Sequence, residues 1–93
     1  MQLLSDQNVQ ARKRHTCDAC LLKIEVGEVY NRAASKDGGY WYVWRQHLEC
    51  RAEAEREYAK DREVELEAGW LRDEPSSQSA EWQAWYVSRG GAL

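Results

Sequence analysis

Three cysteines and one histidine carry the chemistry that the sequence indicates most clearly. Cys17 and Cys20 form a C-x2-C pair, and His47 and Cys50 form an H-x2-C pair later in the chain. The first spacing lets a tight turn aim two thiolates at one ion, and residues three positions apart on a helical turn share one face, so the second pair can point at the same centre. Three thiolates and one imidazole complete the tetrahedral shell that suits a structural zinc ion. The sequence therefore predicts one Zn²⁺ held by these four side chains.

Other uses of these residues stay open at this point. An odd number of cysteines cannot form a closed disulfide framework. A redox C-x-x-C pair usually opens a helix in a βαβ pattern, whereas the residues after Cys20 favour strand and turn. Free buried cysteines beside an incidental histidine are a further alternative. His15 is a substitute ligand candidate, but it lies so close to Cys17 that the ligands would crowd, and His47 is preferred.

Size and composition exclude several classes of protein. The chain has 93 residues, of which 43% are hydrophobic and 31% charged, and its mean hydropathy is -0.84. It lacks the run of about 20 apolar residues that spans a membrane, and its first residues lack the features of a signal peptide. We therefore expect one small domain in the reducing cytoplasm, with no membrane partner and no large enclosed active site.

A β-hairpin is predicted after the first cysteine pair. The segment Ser35–Gly39 contains Asp-Gly and Gly-Gly, which tolerate the positive φ of tight turns. It separates Val29–Ala33 from Tyr40–Trp44, the run with the most aromatic and β-branched residues. From Gln46 to Ala68 neither Pro nor Gly interrupts the chain, which predicts one long helix of about six turns.

The predicted organisation is a small α+β, zinc-stabilised domain with segments on either side. Residues 1–11 are expected to form a short helix or an N-terminal arm, residues 12–69 the zinc domain, and residues 70–78 a linker. Residues 79–93 are expected to form a short helix capped by Ser79, followed by a tail. On that helix Trp82, Trp85 and Tyr86 share one face, which either folds back onto the domain or docks a partner.

The stretch from Cys17 to Cys50 resembles the treble-clef zinc finger of the poly(ADP-ribose) polymerase type. The shared features are the two ligand pairs, Ile24 with Gly27-Glu28, a glycine turn, and an aromatic strand containing Trp44. The resemblance implies a zinc-held module of knuckle, hairpin and helix that recognises DNA by its structure more than by its sequence. Small treble-clef proteins of phages and mobile elements share this plan, and some of them bind proteins.

Charge divides the chain and leads to two hypotheses about function. Residues 1–48 carry seven Lys/Arg against five Asp/Glu, whereas residues 49–68 carry four against eight. The first hypothesis is nucleic-acid binding, because cations on the finger can neutralise phosphates and an exposed indole can stack on a base. Its candidate residues are Arg12, Lys13, Arg14, Lys23, Arg32, Lys36, Arg45 and Trp41.

The alternative is a protein adaptor or inhibitor in which zinc is purely structural. Its binding surfaces would be the acidic helix, residues 49–68, and the face of Trp82, Trp85 and Tyr86. Catalysis is not expected under either hypothesis, because four protein ligands leave no open position on the ion for a reacting water.

Overall fold

The structure is a computed structural model that describes residues 2–93. It is a small α+β fold with an antiparallel sheet and three α-helices in the described range. A 3₁₀ turn, Pro75–Ser77, lies between the last two helices. The strands and helices are β1 Gln2–Gln10, β2 His15–Thr16, β3 Lys23–Ile24, β4 Val29–Asp37, β5 Tyr40–His47, α1 Leu48–Lys60, α2 Trp70–Asp73 and α3 Ala80–Ser88.

The predicted hairpin is confirmed as β4 and β5. The turn at Gly38 and Gly39 joins them, and Gly38 has the positive φ of 62° that the glycine pair was expected to supply. The pairing places Arg32 opposite Arg45 and Lys36 opposite Trp41. Since side chains alternate between the faces of a strand, both arginines and Trp41 lie on one face of the sheet.

The expectation of a short helix or arm for residues 1–11 is wrong, because residues 2–10 form strand β1. The three-stranded sheet has the order β1-β4-β5, with all neighbours antiparallel.

A polar network holds β1 in place. The Asn31 side chain donates to Asp6 Oδ1 at 2.7 Å and accepts from Gln46 at 3.1 Å, and Arg51 of α1 donates to the same Asp6 oxygen at 2.8 Å. Asn31 and Gln46 are almost fully buried there.

The single long helix predicted from Gln46 to Ala68 is also wrong. Helix α1 ends at Lys60, and Asp61 adopts an extended conformation while its side chain accepts a hydrogen bond from the Glu63 amide. A continued helix would stack Asp61 on Glu65 and Glu63 on Glu67, and like charges four residues apart destabilise a helix. The chain instead turns back, so that the Gly69 amide reaches the Asp18 carbonyl at 2.7 Å.

The segment predicted as a linker is structured and packs into the core. Helix α2 begins at Trp70, Leu71 is fully buried, and the Leu71 amide donates to the Ala19 carbonyl at 3.1 Å. Gly69, expected after the end of the long helix, precedes α2 instead and has a φ of 80°.

The C-terminal helix is confirmed as α3. The Ser79 hydroxyl accepts from the Trp82 amide at 3.2 Å, as an N-cap residue should. Trp82 is 2% exposed and Tyr86 4% exposed, and their rings stack 4.5 Å apart. The proposal of an exposed docking face is therefore wrong for these two residues, because so small a protein needs its large apolar rings in the core. Trp85 is only partly buried against the same core.

Candidate metal centre

The first ligand pair lies in a tight turn that follows β2. Two backbone hydrogen bonds of Cys17 close this turn, since its amide donates to the Leu22 carbonyl and its carbonyl accepts from the Leu21 amide, each at 2.9 Å. Leu21 has a φ of 65°, a left-handed conformation that costs an L-residue about 1–2 kcal/mol. The turn places Cys17 and Cys20 side by side, and both are fully buried.

The second pair lies at the junction of β5 and α1. His47 is the last residue of the strand and the N-cap residue of the helix, and Cys50 lies in the first helical turn. Strand end and helix start therefore aim both side chains at the turn of Cys17. The predicted spacing argument is confirmed, because the ligand atoms of Cys17, Cys20, His47 and Cys50 all lie within 4.8 Å of one another.

The distances within the cluster fit a tetrahedral ion with sulfur and nitrogen ligands. His47 Nδ1 lies 3.5 Å from Cys20 Sγ and 3.8 Å from Cys50 Sγ, and the sulfurs of Cys17 and Cys50 are 3.9 Å apart. A tetrahedral zinc shell requires about 3.5 Å between nitrogen and sulfur and about 3.8 Å between two sulfurs. The donor set, three sulfurs and one imidazole nitrogen, is also one that zinc prefers.

The electrostatics of the cluster favour a bound cation. Hydrogen bonding to Cys20 and Cys50 lowers the pKa of Cys17, whereas burial and the neighbouring sulfurs raise the pKa of Cys50. Burial opposes the charged form of His47, but the sulfurs of Cys17 and Cys20 outweigh it and raise its pKa to about 10. Without a metal the cluster therefore keeps protons that a dication would displace, and metal binding should release protons.

A carbonyl group orients the imidazole of His47. Its Nε2 lies 2.9 Å from the Lys23 carbonyl oxygen, so Nε2 donates a proton there and Nδ1 faces the sulfurs, where it can bind an ion once its own proton is displaced. The ring of Trp85 packs against the imidazole in an edge-on geometry, with centroids 4.7 Å apart. The histidine is thus held on two sides, by β3 and by α3.

Asp18 joins the first ligand pair to the sheet, a role that the sequence analysis missed. Its amide donates to the Arg45 carbonyl at 2.7 Å, and its carboxylate accepts from the Arg45 amide at 2.9 Å. Burial raises the pKa of Asp18. No local sequence pattern indicates this contact, because the partner lies 27 residues away.

His15 lies outside the metal cluster, in β2. Its ring packs against that of Tyr30, with centroids 5.5 Å apart and a tilt of 48°. The preference for His47 over His15 as the ligand is thereby confirmed.

Four of the predicted nucleic-acid-binding residues meet in one open groove of about 830 Å³. They are Arg12, Lys13, Arg32 and Arg45, and His15 and Tyr30 line the same groove. We call this groove, with its four cationic residues, the cationic groove.

The other predicted residues have separate positions. Arg14 pairs with Glu25 at 3.1 Å, and Lys23 donates to the Thr16 hydroxyl at 2.7 Å. Lys36 lies over the ring of Trp41 at 5.6 Å, and Trp41 is 67% exposed. These four side chains lie outside the cationic groove.

Within residues 2–93 no helix is both long and apolar enough to cross a membrane.

Comparisons with known proteins give no family for this chain. No protein-family model matches the sequence, and no significant match was found among curated proteins or among solved structures.

Proposed function

We propose that this protein is a zinc-binding module that binds DNA through its phosphates, by structure more than by base sequence. The cationic groove is the observation that carries the proposal. Four basic side chains line it, and none of its lining residues is an aspartate or a glutamate. Phosphate contacts made by Arg and Lys supply most of the affinity of sequence-independent DNA binding.

The pairing of Arg32 with Arg45 supports an anionic ligand. The two residues lie directly opposite each other on β4 and β5, and like charges in that position destabilise a sheet by up to about 1 kcal/mol. Neither forms an ion pair with another described residue, and Arg45 Nε is buried without a hydrogen-bond partner. A phosphate bound to the two guanidinium groups would offset this repulsion.

The negative charge of helix α1 is compatible with this proposal, because the helix packs on the other face of the sheet from the cationic groove. Helix α1 packs over the face that carries Asn31 and Gln46, where Arg51 bonds to Asp6. Arg32 and Arg45 are the sequence neighbours of Asn31 and Gln46, so they point to the opposite face. A polyanion on the cationic groove would therefore have the sheet between itself and α1.

In this proposal the ion is structural, and the domain is a treble clef of the poly(ADP-ribose) polymerase type. Its support is the order of elements, in which a turn gives two ligands, a hairpin follows, and the start of α1 gives the last ligand. Because four side chains fill the tetrahedral shell, a water has no place on the ion, and we propose no catalysis.

Fluorescence anisotropy with labelled DNA tests the proposal. Zinc-loaded protein would be titrated against duplex, nicked and single-stranded 20-mers over a series of salt concentrations. Replacing either of the two paired groove arginines, by Arg32→Gln or Arg45→Gln, should weaken binding and reduce the slope of log K against log salt by about 1. The control is Arg62→Gln, at an exposed position outside the groove, which should leave the slope unchanged.

Two results would overturn it. One is the absence of binding to all three DNA forms, and the other is a salt slope that Arg32→Gln and Arg45→Gln leave at the parent value.

An acidic groove keeps the adaptor hypothesis as a second candidate. Around Trp70, a groove of about 360 Å³ is lined by five carboxylates, those of Glu57, Glu65, Glu67, Asp73 and Glu74. A basic protein surface would complement it. The aromatic half of that hypothesis is lost with the burial of Trp82 and Tyr86, so binding would depend on charge. A stoichiometric protein partner that Glu65→Lys/Glu67→Lys releases, with DNA binding unaffected, would support it.

A further inference from the structure

We propose that Arg89, which ends helix α3, is a positioning residue for His47 and thereby determines how long the metal ion is held. This inference rests on the metal centre of the proposed function and is independent of DNA binding. Arg89 lies 42 residues after His47, and it does not itself offer a metal ligand.

Arg89 acts through a carboxylate that lies beside the imidazole. Its two terminal nitrogens donate to the two oxygens of Glu28, each at 2.7 Å. Glu28 Oε1 lies 3.9 Å from His47 Nε2. Bidentate pairs of this kind are both strong and directional, so Arg89 fixes where the negative charge of Glu28 stands relative to the ring.

Arg89 and His47 also share one acceptor. Arg89 Nη2 donates to the Lys23 carbonyl at 3.0 Å, and His47 Nε2 donates to the same oxygen at 2.9 Å. The two nitrogens are 3.3 Å apart, and both carry protons when Nδ1 faces the sulfurs. The guanidinium therefore anchors the carbonyl that sets the tautomer and the direction of the imidazole.

Trp85 completes the contact between α3 and the ligand. Its ring packs edge-on against His47 at 4.7 Å, and the Arg89 guanidinium lies 5.5 Å from the same ring. The Arg89 amide in turn bonds to the Trp85 carbonyl at 3.1 Å. The C-terminal end of α3 thus restrains the imidazole through the Trp85 ring and near its Nε2 atom.

Freeing the imidazole should speed the loss of the ion. Contacts behind a metal ligand typically change metal affinity by about 10–100-fold. His47 is the ligand that these contacts restrain, and rotation of its side chain would take Nδ1 away from the ion without moving the backbone. Loss of the Arg89 contacts should therefore act first on dissociation, by increasing the time that Nδ1 spends out of position.

Zinc release to an excess of a chromophoric chelator measures this effect on the full chain. We expect Arg89→Met to release zinc about tenfold faster than the parent. Arg89→Lys, which keeps the charge but not the fork, should lie between them. The matched control is Arg62→Met, at an exposed position away from the cluster, which should release zinc at the parent rate.

A cobalt spectrum separates positioning from a loss of stability. Cobalt-loaded Arg89→Met should show shifted d–d bands, because the field of the imidazole ligand changes, while Arg62→Met keeps the parent bands. Glu28→Gln, which retains the shape of Glu28, should also speed release. Adding it to Arg89→Met should have little further effect, since the two residues act as one unit.

Parent release rates and parent cobalt bands in both Arg89→Met and Glu28→Gln would overturn the proposal. If Arg89→Met fails to fold, an unchanged rate in Glu28→Gln alone overturns it. A parent chain that binds no zinc would overturn the metal centre as well, whereas a failure to bind DNA would leave this inference standing.

Discussion

Asp6 is the residue that connects the N-terminal strand to helix α1. Hydrogen bonds from Arg51 and Asn31 outweigh its partial burial and lower the pKa of its carboxyl. A carboxyl whose pKa is lowered on folding stabilises the folded state above its unfolded pKa of about 3.9, and this stability is lost as the pH falls through the folded value.

We predict that Asp6→Asn lowers the free energy of unfolding of the zinc-loaded protein by about 1 kcal/mol at neutral pH. The amide can still accept from Asn31, so only the charge assistance is lost. Urea unfolding at several pH values measures it. The difference between parent and variant should stay constant from pH 7 to about 5 and shrink below that. Equal stability at pH 7 would contradict the prediction, and so would a difference that changes between pH 7 and pH 5.

At the scale of elements, the return of the chain after α1 depends on Gly69. Its φ of 80° lies in the left-handed region, and a Cβ there would stand 3.2 Å from Leu21 Cδ1. Its amide bonds to Asp18, between the ligands Cys17 and Cys20. The glycine therefore lets the chain pack closely against the turn that carries Cys17 and Cys20.

We predict that Gly69→Ala destabilises the protein by about 1–2 kcal/mol, because of the strained φ. Gly39→Ala is the matched control, since Gly39 lies outside the positive-φ region and nothing lies within 4 Å of an added Cβ there. Thermal unfolding of the two variants under one zinc concentration checks this. A loss of stability at Gly39 as large as that at Gly69 would refute the role of the backbone conformation.

The elements that the sequence predicted correctly are those with local signals. The hairpin has its glycine turn and its aromatic strand, and α3 has its N-cap serine and closing glycines. Strand β1 has no such signal, because its polar residues become strand-like only through the buried network with Asn31 and Gln46. The end of α1 was missed for a related reason: helix propensity runs on past Lys60, and the bonds that turn the chain back are tertiary.

The four residues of the metal cluster could be predicted from spacing, whereas the residues around them could not. Two pairs at short spacing identify the four candidate ligands without knowledge of the fold. Glu28 and Arg89 are 61 residues apart and belong to no motif. Only the packing of α3 against His47 brings them to the ligand, so no pattern in the sequence marks them.

At the scale of the whole molecule, the metal cluster and the hydrophobic core are one structure. The three cysteines belong to the buried cluster of Ile24, Tyr30, Leu71, Trp82 and Tyr86, with a few smaller side chains. The molecule is thin, with extents of 38 × 33 × 17 Å. So small a core gives little stability without a metal staple.

We predict that a chelator unfolds the domain, because structural zinc contributes roughly 10–16 kcal/mol in small finger peptides. The near-ultraviolet circular dichroism of Trp82 and Trp85, which pack beside the cluster, should be lost and should return on adding zinc. Trp41 is a poorer reporter, since it is 67% exposed on the hairpin. The control is chelator saturated with zinc beforehand. A full tertiary signal in metal-free protein would rule out the structural role of the ion.

The distance along the chain between the metal ligands and their outer contacts has a consequence for biosynthesis. A nascent chain exposes Cys17 and Cys20 first and has all four ligands only once Cys50 has left the ribosome. The salt bridge to Glu28 must wait for Arg89, almost forty residues later. During that interval a captured ion has its ligands but not the restraint on His47. Exchange with the cellular metal pool should therefore be fastest while the protein is still being made.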